Sequence, residues 1–225
     1  HRSGLATFDG DLLWYGTNYS RGEVLRRIRE LPLKNSFRYS FGYSNLMFIA
    51  AGEVIEAVSG KTWDDFLKEK IFSPIGMKRT STLLEDKLTF ENIAAPHLES
   101  NPMEFINYDN SGPAASINST IIDLLKWTKM WLNNGMIDST QIISKASVRK
   151  LTSSQTAMNG GAATEKFGTH FNNYAMGWFL RDYSGRKIIS HDGGMPGYLS
   201  RVVVVPEDKL GIVLLTNDMT GIINP

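Results

Sequence analysis

Residues 199–217 read LSRVVVVPEDKLGIVLLTN, two runs of β-branched and aliphatic residues separated by Pro206-Glu207-Asp208-Lys209. A four-residue connection of that composition closes an antiparallel hairpin. Val202 to Val205 is apolar throughout, the pattern of a strand covered on both faces. Upstream, Tyr174 to Asp182 and Lys187 to His191 are further short extended runs bounded by Gly, Pro and Asp. Before residue 165 the period is helical. Arg21 to Glu30 is a short charged helix stopped by Pro32, and Asn45 to Val58 is almost wholly apolar or small, a helix buried round most of its circumference and ended by Gly60. Thr62 with Asp65, and Thr120 with Asp123, have the spacing of helix caps. The first opens a helix running to Pro74, and the second one whose apolar face is Ile121, Leu124, Leu125, Thr128, Trp131 and Leu132. Ser144 caps another, to about Ser153, and a Gly-rich loop follows at Asn159 to Ala163. Residues 76–118 form a long irregular excursion with short structured pieces. Helices first and antiparallel strands last define an α+β fold, with residues 1–165 mostly helical and 166–225 supplying sheet strands.

The composition narrows what such a fold does. The chain has 225 residues, 42% of them hydrophobic, and 24 Lys and Arg against 23 Asp and Glu. That is enough apolar material to bury a core, and a net charge of +1 gives no basic field for a nucleic-acid backbone. The Arg-rich stretch at 26–29 reads as the solvated face of a helix. No apolar run approaches the ~20 residues of a membrane helix. Zero cysteines exclude disulfides and thiolate chemistry without naming a compartment. The four histidines, His1, His97, His170 and His191, form no metal-ligand spacing, so no metal is expected. Nucleotide-binding loops and the G-x-S-x-G elbow are absent as well.

Two polar constellations remain. Tyr43-Ser44-Asn45 stands immediately before the apolar helix, where unpaired N–H groups and the positive dipole end favour negative charge. There Tyr43 is placed to act as a base if a cation lowers its pKa, and Asn45 offers both a donor and an acceptor. The plainer reading makes Ser44 or Asn45 a helix cap and Tyr43 a half-buried aromatic. The second constellation is His191-Asp192-Gly193-Gly194-Met195-Pro196-Gly197-Tyr198. Paired glycines let a ligand approach the backbone, and an unobstructed N–H stabilises an oxyanion; alone, the same string reads as a Gly-rich turn.

Together the two resemble the Y-x-N motif and the H-x-G variant of the K-[ST]-G motif of serine β-lactamase-like hydrolases, which include class C β-lactamases, D-alanyl-D-alanine carboxypeptidases, esterases and D-aminopeptidases. The likeness extends between them. His1-Arg2-Ser3-Gly4-Leu5 is similar to the family's H-T-S-G-L segment, Ile71-Phe72-Ser73-Pro74-Ile75-Gly76-Met77 to I-F-x-P-L-G-M, and Gly112 to Leu124 to its P-A-G-G-L-x-S-T-x-x-D-L block.

The resemblance implies a helical region packed on an antiparallel sheet, and acyl transfer through a serine ester followed by hydrolysis. On it, Tyr43 shuttles a proton, Asn45 and Gly193 hold a small-molecule or peptide substrate, His191 takes the place of the motif lysine, and the N–H of Gly194 forms half of an oxyanion hole. No cofactor is implied. A histidine in place of the permanent lysine cation favours a peptidase or esterase over a true β-lactamase. The family's nucleophile belongs to S-x-x-K, upstream of H-T-S-G-L. The two S-x-x-K strings here, Ser147–Lys150 and Ser184–Lys187, fall after Tyr43 on an ordinary helix and in a turn, and neither suits the role. The expectation is thus a fold incomplete at both ends, inactive by itself, with an uncovered sheet face disposed to self-association. Many relatives are exported, and a signal for that would lie outside these residues. The competing expectation is a non-catalytic binding or regulatory module; an S-x-x-K encoded upstream would support the enzyme, and a natural start near His1 the module.

Overall fold

The computed structural model describes residues 1–158 and 168–219; the Gly-rich stretch Asn159 to Ala163 and the last residues lie outside them. The chain divides into two compact units, one of residues 1–73, 79–93 and 106–119, the other of 74–78, 94–105 and 120 onward.

The first unit is helical. Its opening segment has a short 3-10 turn at Asp11–Leu13, followed by α1 (Arg21–Ile28) and α2 (Asn45–Ser59). Ser20 caps α1 by accepting from the Glu23 N–H at 3.2 Å. Glu23 answers Arg26 and Arg27 one turn on, the solvated charged face expected from the sequence. Gly60, at φ 69°, ends α2 with its N–H on the Glu56 carbonyl. The burial of α2 is narrower than its composition indicates. Leu46, Ile49 and Gly52 are buried, while Val54 and Val58 are 60% and 83% exposed, because only one stripe of the helix meets neighbours in this unit.

Thr62 caps α3 (Trp63–Leu67), which continues through a π-helical turn at Lys68–Phe72 into α4 (Ser73–Ile75). Pro74 therefore does not end the helix. The wider turn, closed by Ser73 N–H to Lys68 O, carries the chain past a residue that has no N–H to donate. After α5 (Leu84–Leu88) this unit contains a 3-10 turn at Asp109–Ser111 and α6 (Gly112–Ala115); the two-stranded β1 (His97–Leu98) and β2 (Asn101–Pro102), which come between them in sequence, belong to the second unit. α6 lies so close to α2 that a Cβ on Gly52 would overlap the Pro113 ring. Arg21 ties α1 to α3 and to the Asp109 turn, through two bonds to Asp64 (2.7 and 3.2 Å) and two to the Asp109 carbonyl (3.1 and 2.8 Å).

The second unit is built on a sheet. α7 (Ile121–Leu132) is capped by Thr120; then come the hairpin of β3 (Met136–Ile137) and β4 (Thr140–Gln141), α8 (Lys145–Leu151) capped by Ser144, and strands β5 (Thr156–Ala157), β6 (Asn172–Tyr174), β7 (Phe179–Tyr183), β8 (Arg186–Met195), β9 (Tyr198–Val205) and β10 (Leu210–Thr216). The last six pair antiparallel in the order β10-β9-β8-β7-β6-β5. The β9–β10 hairpin closes through residues 206–209, in the register Leu210 to Val205. Ser184 and Gly185, both at positive φ, make the two-residue turn between β7 and β8.

α7 packs on one face of the sheet, where a Cβ on Gly211 would come within 2.8 Å of Thr128 Oγ1 and Val213 is buried. Its own buried residues are Asp123, Thr128, Met130 and Trp131; Ile121 and Leu125, expected on the apolar face, are 42% and 40% exposed. Along β10 the alternate residues Leu210, Ile212 and Leu214 are 38–45% exposed, so this strand is covered on one face by the described residues and open on the other. Its partner β9 buries Val204 and Val205, while Val202 and Val203 are half-buried.

Candidate functional site

The first constellation is a helix start held by the opening segment of the chain. Gly42 donates to the His1 carbonyl, Phe8 to the Tyr43 carbonyl, and Tyr43 to Thr7 Oγ1. A Cβ on Gly42 would run into the Leu5 carbonyl oxygen, so this crossing needs glycine. Ser44 is the N-cap of α2 and wholly buried, yet its side chain makes no cap bond and Oγ has no hydrogen-bond partner among the described residues. Its N–H donates to His1 Nδ1 at 3.0 Å, which requires that nitrogen to be unprotonated. Asn45 does not cap the helix either; its Nδ2 donates to Asp11 Oδ2 at 2.7 Å. Ser44 thus stands at the cap position the plainer reading gave it, without the side-chain bond, and Asn45 is the first residue of the helix. Tyr43 packs its ring 4.1 Å from that of His1 and 5.4 Å from that of Phe8. Asp11 also accepts from Trp14 Nε1 at 3.1 Å; burial raises its pKa above the usual carboxylate value, and the two hydrogen bonds oppose that rise.

The second constellation is not a turn. His191 to Met195 continues β8 without a break, with His191 opposite Val202, Gly193 opposite Ser200 and Gly194 opposite Leu199. The reversal comes later, at Pro196-Gly197, where Gly197 has φ 83°. The two glycines are unequal. A Cβ on Gly193 would collide with Ser200 Oγ, whereas one on Gly194 would find Leu199 Cδ2 at an ordinary 3.6 Å. The ladder carried the chain through the glycines because Ser200 and Leu199 supply the side chains they lack.

The His191 imidazole lies 3.2 Å from Tyr174 Oη through Nε2 and 2.7 Å from the Asp192 carbonyl through Nδ1, with the Phe179 ring 5.2 Å away. Burial pushes its pKa below the ordinary value, against smaller opposing effects of the Asp192 carbonyl and carboxylate. Burial thus disfavours the imidazolium, and His191 is a poorer cation than a lysine in that place. Asp192 itself is held by Arg201 at 2.6 and 2.9 Å. Beside His191 and Gly193 runs a groove of about 460 Å³ walled by Trp127, Trp131 and Trp178, whose rings meet edge to face at 5.5 and 5.2 Å.

Ser147 Oγ is bonded to the α8 cap Ser144 at 2.9 Å, and Lys187 donates to the Thr152 carbonyl. Among the described residues no three His, Cys, Asp or Glu side chains are grouped to hold a metal, and no helix is long and apolar enough to cross a membrane. Sequence reasoning missed Asp11, Trp14 and the His1 imidazole, partners of the Y-S-N segment. The first twenty residues read as a loop, and nothing local in them announces a bond reaching from Asp11 to Asn45.

A helical unit with Tyr43-Ser44-Asn45 at a helix start, and an antiparallel sheet carrying His191-Asp192-Gly193-Gly194 in its β8 strand, define the β-lactamase/transpeptidase-like fold. Residues 1–222 match the family described as Beta-lactamase, and the chain belongs to it. It is 29% identical to the "Unguisins hydrolase ungD'" of Aspergillus campestris over 98% of this chain and 41% of that protein. It is likewise 29% identical to Penicillin-binding protein 4 of Amycolatopsis lactamdurans, over 78% of this chain and 46% of that one. Among solved structures, an octameric penicillin-binding protein homologue from Pyrococcus abyssi superposes with a TM-score of 0.78 at 22% identity, covering 97% of this chain and 50% of that chain. The chain spans rather less than half the length of these two sequence relatives.

Proposed function

We propose that these residues belong to a serine acyl hydrolase, acting through an acyl-enzyme on peptide, amide or ester substrates. The observation that carries the reading is the family match over residues 1–222, joined to a Tyr43-Ser44-Asn45 segment whose side chains are not spent on capping α2. In this reading Tyr43 relays the proton between nucleophile and leaving group, Asn45 and Gly193 bind the substrate, and the Gly194 N–H, on an unobstructed strand position, donates to the oxyanion. A neutral His191 accepts or donates a hydrogen bond without gripping a carboxylate as a lysine would, which supports a peptidase or esterase over a β-lactamase. Neither Ser147 nor Ser184 is the nucleophile, so the reading places the reactive serine in an S-x-x-K encoded before His1.

Treating the protein expressed from the full reading frame with fluorophosphonate and penicillin probes tests this. The expected result is one serine adduct outside residues 1–225, formed about 100-fold or more slowly in Tyr43→Phe. An adduct on Ser147, or none with either probe, overturns it, and the second outcome favours a non-catalytic binding module. The open face of β10 at Leu210, Ile212 and Leu214 supports self-association of the 225-residue chain; light scattering should show oligomers that Ile212→Lys disperses. Clean monomers at high concentration would refute that.

A further inference from the structure

The surroundings of the His191 imidazole decide which of its nitrogens carries the proton. Nδ1 lies 2.7 Å from the Asp192 carbonyl oxygen, which only accepts, so Nδ1 donates and the neutral ring has its lone pair on Nε2. Nε2 is 3.2 Å from Tyr174 Oη, so the phenol donates to it. Tyr174 is fixed by the sheet. It is 2% exposed, stands opposite Phe179 in the β6–β7 ladder, meets that ring edge to face at 4.8 Å, and its carbonyl accepts from the Gln155 N–H. The Phe179 ring in turn packs 5.2 Å from the imidazole. The acceptor of Nδ1 is held too, because Asp192 faces Arg201 in the β8–β9 ladder and its carboxylate is gripped by that guanidinium.

We propose that Tyr174 is a positioning residue for His191: its hydroxyl and the Asp192 carbonyl engage both ring nitrogens, so that the imidazole meets a substrate as a wall of the groove and not as a hydrogen-bonding group. A phenol accepts as readily as it donates, so the pairing survives protonation of Nε2. His191 lines the groove beside Trp178 and Gly193. Resting on the hydrolase reading above, the inference narrows its substrate class to molecules whose end beside His191 is uncharged, a blocked amide or ester and not a free carboxylate. A carboxylate placed there would lose water without gaining a donor. With the Tyr174 hydroxyl removed, Nε2 is released to bond a substrate group, and the selection against a carboxylate weakens.

The test has two arms. In the 225-residue chain with ¹⁵N-labelled histidine, at about pH 8 and so above the ordinary imidazole pKa of ~6.5, the His191 ring is identified by its loss in His191→Gln. Its Nδ1 should carry the proton and its Nε2 should be bare. In Tyr174→Phe the Nε2 resonance should move toward that of a free imidazole nitrogen, while Nδ1 and the backbone amides of β8 stay in place. Should that variant disturb those amides, 3-fluorotyrosine replaces it; its more acidic hydroxyl donates more strongly and should move Nε2 the opposite way. In the full-frame protein, the ratio of kcat/KM between a substrate with a carboxamide end and its free-carboxylate counterpart should fall about tenfold in Tyr174→Phe. A proton on Nε2, an Nε2 that does not answer to Tyr174, or an unchanged ratio overturns the proposal, and in a protein that takes up the serine probe each does so without touching the hydrolase reading. Because the first arm needs no turnover, a protein that takes up no probe but whose Nε2 answers to Tyr174 would sink the hydrolase reading and the substrate preference while leaving the positioning of His191 standing.

Discussion

The two motif-bearing stretches are held in opposite ways. Tyr43-Ser44-Asn45 is fixed by single contacts reaching across sequence, from His1, Thr7, Phe8 and Asp11, to a helix whose own capping machinery is idle. His191-Asp192-Gly193-Gly194 is fixed by the ladder of β8 with β9, where main-chain pairing repeats at every residue and side chains contribute mainly by filling space. The difference is one of redundancy. A helix start secured by a few specific bonds is vulnerable at each of them, whereas a strand inside a sheet distributes the load.

The largest effect should therefore come from crowding the first stretch. Gly42→Ala puts a methyl against the Leu5 carbonyl, backbone that has no rotamer to change, and is expected to cost about 2–3 kcal/mol in urea denaturation. A loss under about 0.5 kcal/mol would mean the opening segment moves freely away from Tyr43 and would break the comparison. In the second stretch Gly193→Ala meets only Ser200 Oγ, which rotates, so about 1 kcal/mol is expected, and Ser200→Ala should relieve most of it in a double-mutant cycle. Gly194→Ala, with ordinary contact to Leu199, should stay within about 0.5 kcal/mol.

A pH series sharpens the contrast further. Burial holds the His191 pKa below its unfolded value of about 6.5, so as pH falls below that value the unfolded chain takes up a proton that the folded chain resists. Stability should decline through this window, and His191→Gln should flatten the decline relative to the parent protein. A decline identical in both would show that the imidazole gains its proton in the folded sheet. Replacing His1 probes a different contact: losing Nδ1 as the acceptor of the Ser44 N–H should shift the Ser44 amide resonance.

Much of the fold was legible because it follows from local rules. Runs of β-branched and aliphatic residues gave the β9–β10 hairpin, and Thr62, Thr120 and Ser144 marked helix starts as side-chain acceptors of the first free N–H groups. The misreadings have physical causes. Pro74 reads as a stop only if the helix stays α-helical, and a π turn removes that condition. The glycines at 193 and 194 read as a turn because strand propensity scores a residue by its own side chain, whereas in this sheet the facing Ser200 and Leu199 fill the space. Apolar composition made α2 look buried round most of its circumference, but burial depends on what lies opposite, and Val54 and Val58 are exposed among the described residues.

The sequence by itself determined the order of helices and strands, the family likeness, and the identities of Tyr43, Asn45, His191, Gly193 and Gly194 as residues worth placing. Only the tertiary structure decided that the Ser44 and Asn45 side chains make no cap bond on α2, that the Asn45 NH₂ group donates to Asp11, and that burial disfavours the imidazolium of His191. The physical reason is distance along the chain. Helix periods, caps and turns are written within a few residues of one another, while the bond between Asp11 and Asn45 and the desolvation of His191 depend on which distant segments the fold brings together.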